Sequence, residues 1–189
     1  FVLSAEALPK SARLSLALGG AGLLALTVLL RREAPKSAPL VPIDLLRDPS
    51  FRISVIASVC CFIGQAAGMI ALPFHLQHGF TQTPLAAGLY MSTWPLAVAA
   101  TSTVAGRLSD WVSTAWLCAI GGGLLAIGLG GIALWPTHNG PHALAAFGVL
   151  CGVGFGLFQT PNNRNMFMAA PPSRSGAAGS LQGTARLTG

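Results

Sequence analysis

The chain is poor in charge. No Asp, Glu, Lys or Arg occurs from Ile53 to Gly106, and none from Trp111 to Asn163; only Arg107 and Asp110 interrupt the two runs. Charged residues make up 8% of the chain, whereas a soluble domain carries about 25%. A soluble surface is thereby excluded. Acidic residues number five in all, and none lies within an apolar run. Those runs contain no paired carboxylates, activated nucleophile or metal-ligand set, so they offer nothing from which to build a membrane-embedded enzyme. Cysteine is also sparse: Cys60, Cys61, Cys118 and Cys151 all fall inside apolar stretches. They lack the spacing of a zinc site or a thiol redox motif, and they read as small buried hydrophobes. No metal and no cofactor is expected. The formal charge of +6 does not point to nucleic acid, because the basic residues are not gathered on one face among polar or aromatic contacts.

What is present is apolar length. Hydrophobic residues account for 52% of the 189 residues, and the mean hydropathy is +0.64. A helix needs roughly 20 apolar residues to cross a hydrocarbon core of about 30 Å, so each uncharged run accommodates a helical hairpin. The expected fold is an all-α, polytopic transmembrane helical bundle embedded in a lipid bilayer. Spans are expected at about 14–30, 53–76, 85–106, 114–135 and 142–168, with a further one beginning near Gly183. The segment 31–52 contains Pro35, Pro39, Pro42 and Pro49. Proline lacks a backbone donor and resists helix interiors, so this reads as a surface linker between a first unit, 1–52, and a second, 53–189. The chain starts at Phe1 rather than Met and ends in a Gly-rich, Arg-bearing stretch, so it reads as an internal piece, an incomplete bundle.

With five spans the loops alternate in side. Arg31, Arg32, Lys36, Arg47, Arg52, Arg107, Arg164, Arg174 and Arg186 fall on one side, while Lys10 and Arg13 fall on the other. Cytoplasmic loops carry the Lys/Arg excess, which makes the loops at 31–52, 107–113 and 169–182 cytoplasmic. Glycine is spaced for close helix contact: Gly64-x-x-x-Gly68, and Gly148-x-x-x-Gly152-x-x-x-Gly156. Residues four apart share a helix face, and bare backbone there lets helices approach. The Gly-rich stretch 121–131 lacks the Lys-Ser/Thr of a phosphate loop and lies within a span.

The tetrad Arg107-Leu108-Ser109-Asp110, preceded by Gly106, resembles the loop motif of the major facilitator superfamily. Further stretches are similar to its fourteen-helix drug:proton antiporter branch: Pro39 to Arg47, Pro84 to Leu89, Gly156 to Asn163 and Arg174 to Gly179. On this resemblance the first span looks like the second of two extra central helices. The later spans look like the first four of the C-terminal six-helix bundle, with the fifth starting at the chain end. The resemblance implies a transporter of the bacterial inner membrane that exports drugs or other amphipathic small molecules in exchange for protons. It also implies a missing N-terminal half as the partner of this bundle. Gly106 then permits a tight helix exit, while Asp110 and a basic residue such as Arg107 tie neighbouring helix ends together in one state of the transport cycle. An ordinary capped turn has the same composition. An exporter of one specific metabolite and a non-transporting scaffold subunit remain as alternatives.

Four residues are candidates for a substrate cavity. Gln65 is read as the only amide at mid-membrane depth, with Phe62 and Met69 nearby; it either faces a wet cavity or bonds a neighbouring helix. Phe and Met suit a promiscuous apolar substrate, and they suit plain core equally well. Gln159 belongs to the densest polar patch on any span, with Asn162, Asn163 and Arg164 beside Pro161. Arg164 stands about 33 Å from His142 at a rise of 1.5 Å per residue, so these residues are candidates for a cytoplasmic gate or, more simply, a solvated helix end. Of the four tryptophans, Trp94 alone lies away from span ends and reads as core. No Asp, Glu, Lys or Arg is expected mid-span.

Overall fold

In the computed structural model the chain divides into two compact units, 1–43 and 44–189. The structure describes residues 47–169 and 175–188, with positions 20, 24, 27 and 28. Those four positions are helical; the rest of the span expected at 14–30, and the linker as far as 46, lie outside the described residues.

The second unit is an all-helical bundle. Helix α1 spans Pro49–Phe74 and runs on as a π-helical turn, His75–Gly79. Asp48 starts it: the carboxylate accepts the Phe51 N–H at 2.8 Å while Pro49 occupies the first turn, where its missing donor costs nothing. The same device starts α2, Pro84–Leu108, with Thr83 accepting the Ala86 N–H. Helix α3 covers Thr114–Leu134, and α4 covers His142–Ala169. A single 3₁₀ turn, Thr137–Asn139, connects them, and Trp135 Nε1–H donates to the Gly140 carbonyl at 2.9 Å to close the connection. Helix α5, Ser175–Thr188, follows. It begins eight residues before Gly183, where the sequence placed the next span, because the small residues after Pro171 and Pro172 continue a helix that the prolines had suggested was a loop.

Among the described residues three helices are long and apolar enough to cross a membrane: Pro49–Gly79, Thr114–Leu134 and His142–Ala169. Helix α2 spans roughly 37 Å at 1.5 Å per residue but is richer in hydroxyls. Ser92, Thr93 and Thr103 return their hydroxyl protons to the carbonyls of Gly88, Tyr90 and Ala99. Back-bonding of this kind hides the polar group along the helix itself. Prolines 73, 95 and 161 sit inside helices without ending them.

Helix α4 is the axis of the bundle, packed along much of its length by α2 and α3. Glycine makes this possible. A Cβ at Gly152 would strike the carbonyl oxygen of Trp94 on α2. One at Gly121 on α3 would stand 2.6 Å from the Gly154 carbonyl oxygen. The bare faces of α4 thus meet two helices at backbone distance. Around them Phe62, Leu72, Trp94, Leu125, Leu144, Cys151 and Phe155 form the main core; Trp94 is 1% exposed. A second, smaller core joins Phe51, Met166 and Ala178, tying α5 to α1 and α4. Of the four cysteines, Cys61 and Cys151 are buried and Cys118 is half-buried. Cys60 is exposed, against expectation, because it lies on the outward flank of α1.

Candidate functional site

Two polar constellations interrupt the apolar bundle. The first lies at the end of the bundle bearing Asp48, the α2–α3 turn and the end of α4. Arg164 Nη1–H donates to Asp110 Oδ1 at 2.6 Å, joining that turn to α4. The partner of Asp110 is therefore a residue 54 positions away. Arg107, the basic residue of the turn itself, is exposed and makes no ion pair among the described residues. Arg107 lies on the last turn of α2 before the helix exits, whereas Arg164 reaches across from α4. Both members of the pair are about half exposed, with side chains 47% and 58% accessible. An exposed pair of this kind is worth about 0–1 kcal/mol and can be made and broken cheaply. Gly106 sits beside Thr160 of α4 without forcing close contact.

Beneath the ion pair runs a ladder between α1 and α4. Asn165 Nδ2–H donates to Ser54 Oγ at 2.9 Å and reaches Ser50 Oγ at 3.3 Å. Asn162, 3% exposed, donates to Ser58 Oγ at 2.7 Å and to the Ser54 carbonyl at 3.2 Å. Ser58 in turn points its hydroxyl at Met166 Sδ. Sequence reasoning singled out Asn162 but passed over Ser50, Ser54 and Ser58. The signal was their spacing of four, which lines one face of a helix. Asn163 and Gln159 are half-buried and make no hydrogen bond among the described residues. A cleft of about 380 Å³ opens beside the ladder, lined by Ser50, Ser54, Thr114, Cys118, Asn162 and Asn165. Two more apolar clefts, of about 440 and 390 Å³, follow between α1 and α3.

The second constellation lies half-way along the spans. Phe62 is buried and meets Phe155 edge to face, the rings 5.3 Å apart. The Arg186 guanidinium carbon stands 5.9 Å from the centre of the Phe62 ring. Gln65 and Met69 follow Phe62 on α1, both half-buried; Met69 packs against the main core, while the Gln65 amide has no hydrogen-bond partner among the described residues. None of the four residues expected at a cavity, Phe62, Gln65, Met69 and Gln159, lines the three clefts named above. The expectation that no charge lies mid-span bears on Arg186, which the fold sets beside Phe62. Helix α5 starts at Ser175, which carries Arg186 roughly 16 Å along the helix and removes it from the tally of cytoplasmic-loop cations. Gln182 lies one turn before Arg186 on the same helix.

Histidines take ordinary places at the opposite end. His75 meets Phe80 edge to face at 5.1 Å, His78 Nδ1 approaches the Phe74 carbonyl, and His142 Nδ1 lies 3.4 Å from the Tyr90 hydroxyl. No group of three metal-ligating residues is gathered among the described residues.

Comparison with known proteins now has a fold to attach to. The chain is 41% identical over 160 residues to the Uncharacterized transporter YebQ of Escherichia coli (strain K12), covering 85% of this chain and 35% of that protein. It is 29% identical over 169 residues to the Riboflavin transporter RibZ of Clostridioides difficile (strain 630), covering 89% and 37%. It is 28% identical over 168 residues to the Multidrug efflux pump LfrA of Mycolicibacterium smegmatis (strain ATCC 700084 / mc(2)155), covering 87% and 32%. The chain thus spans about a third of the length of the curated relatives it matches. No solved structure matches. The Major Facilitator Superfamily profile matches residues 12–189. With its helical bundle and membrane-length spans, the chain belongs to the Major Facilitator Superfamily, a family of membrane transporters rather than enzymes.

Proposed function

We propose that the chain forms part of a proton-coupled exporter of amphipathic small molecules, working by alternating access in the bacterial inner membrane. Residues 1–52 are the end of a central region, and 53–189 are part of a C-terminal helix bundle that rocks against an N-terminal half of the same transporter. The loops at 31–52, 107–113 and 169–182 face the cytoplasm, as the Lys/Arg distribution favours. The observation that carries this reading is the Asp110–Arg164 pair. It joins the α2–α3 turn to α4 at one end of the bundle, where water reaches both partners, so the link can open and close as the halves move. Beside it, the hydrogen bonds of Asn162 and Asn165 to α1 hold α1 and α4 as one body.

Drug export is supported by the printed name of the mycobacterial relative and by the local motifs of the antiporter branch. The clostridial relative is named for riboflavin, which favours a second reading, export of one specific metabolite. Uptake into inverted membrane vesicles carrying the complete transporter, where export becomes accumulation in the lumen, separates them. Dye or drug export that collapses with the proton gradient supports the first reading. Export confined to one metabolite among many supports the second, and none of either opposes both.

A further inference from the structure

Arg186 holds a permanent charge beside the middle of a membrane-length helix. Its guanidinium stands over Phe62, which lies half-way along the span Pro49–Gly79. Phe62 touches Phe155, half-way along His142–Ala169. Two membrane-length helices thus set Arg186 level with their midpoints. Arginine near a span end reaches water by stretching its side chain, but half a membrane is too far. A charge at this depth is costly, and such residues face the bundle interior or a wet cavity and mark substrate or ion paths. The start of α5 packs this flank on the bundle, where Ala178 is buried with Phe51 and Met166; Gln182, half-buried, and Arg186, exposed beside Phe62, follow at steps of four along the same row.

Among the described residues no carboxylate pairs with this charge. Asp48 and Asp110 are the carboxylates among the described residues; one caps α1 and the other holds Arg164. The Phe62 ring can shield the guanidinium but cannot supply a negative charge. One turn beyond Phe62 on α1 is Gln65, and one turn before Arg186 on α5 is Gln182; neither amide has a hydrogen-bond partner among the described residues. We infer that Arg186, flanked by Gln65 and Gln182 and steadied by Phe62, is an intramembrane receptor for an anionic group, so that the molecules handled at this site carry a carboxylate or a similar anion. A guanidinium fork pairs with a carboxylate through two parallel hydrogen bonds, and the amides add donors that a cation could not use. The inference deepens the exporter reading and rests on it. It opposes a preference for cationic drugs.

The test uses the purified complete transporter and two dyes on one xanthene frame: fluorescein, an anion at neutral pH, and a rhodamine ester, a cation. Equilibrium binding to the wild type should favour fluorescein. Arg186→Gln should weaken fluorescein binding by about tenfold or more, the size expected of a charge-assisted contact, and leave the rhodamine unchanged or tighter; Arg186→Lys should retain part of the anion preference. Tighter binding of the rhodamine by the wild type overturns the inference without recourse to any variant. So does a failure of the wild type to bind fluorescein, or an Arg186→Gln protein that folds and binds fluorescein as before. Vesicle uptake of the same dyes is read separately: anion binding without transport counts against the exporter reading while leaving the receptor intact.

Discussion

Asp110 and Asn162 show how far apart two polar contacts at one end of a bundle can be in energetic weight. The Asp110–Arg164 pair is exposed on both sides, so Asp110→Asn should change thermal stability in detergent by no more than about 1 kcal/mol. If the pair forms a gate, the same substitution should lower efflux several-fold at normal expression. The charge-reversed double variant Asp110→Arg with Arg164→Asp should restore part of it. Unchanged efflux in the single variant would remove the gating role. Asn162 is the opposite case, buried with Ser58 Oγ at 2.7 Å. Asn162→Ala leaves a buried hydroxyl and a carbonyl short of a donor, and should cost about 1–3 kcal/mol, read as a lowered unfolding midpoint. Asn162 was visible in the sequence as part of a polar patch, but its partners were not. The Ser58 hydroxyl and Ser54 carbonyl it binds lie more than a hundred residues away, and only packing brings α1 beside α4.

At the scale of the helix, glycine decides what can pack. Gly152 meets α2 at backbone distance, whereas a Cβ at Gly123 on α3 would meet nothing within 4 Å. Gly152→Leu should therefore force α4 away from α2, at about 1–3 kcal/mol or more, and reduce the yield of folded protein. Gly123→Leu should fall within roughly 0.5 kcal/mol of wild type. Equal effects at both positions would mean that glycine is there by composition and not for contact. The repeat Gly148-x-x-x-Gly152-x-x-x-Gly156 was legible as a contact face; that it meets α2, and that Gly154 turns to α3, was not. Helix ends were partly legible too. Pro49 reads along the chain as linker, with the span starting at Ile53, whereas Asp48 caps α1 and Pro49 opens it; at α2 the expected start at 85 lies one residue from Pro84. The start of α5 escaped because prolines 171 and 172 and a run of small residues look like loop when read along the chain.

Across the whole molecule, the proposed orientation is open to direct labelling. In a complete transporter freed of its native cysteines, Ser113→Cys in the exposed α2–α3 turn should react with an impermeant thiol reagent only from the cytoplasmic side. His138→Cys, in the exposed turn between α3 and α4, should react only from the other side. The reverse pattern would invert the topology and place the Asp110–Arg164 pair at the outer end. Sidedness belongs to this scale because no single helix carries it: it is a property of how basic residues divide among loops once the spans are known.

The sequence by itself determined that this is a helical membrane protein. Two uncharged runs each long enough for a hairpin leave no other way to satisfy the backbone in lipid. The motif around Gly106 to Asp110 pointed to the family, which the match over residues 12–189 established. The tertiary structure alone decided which groups meet. It gave Asp110 the partner Arg164 instead of Arg107, joined three serines of α1 to two asparagines of α4, and set Arg186 over the ring of Phe62. Span length and loop charge are sums along the chain and can be read there. A hydrogen bond or a cation over a ring depends on the rotation of two helices about their axes, and that rotation is set by the glycine contacts and core side chains of the folded bundle.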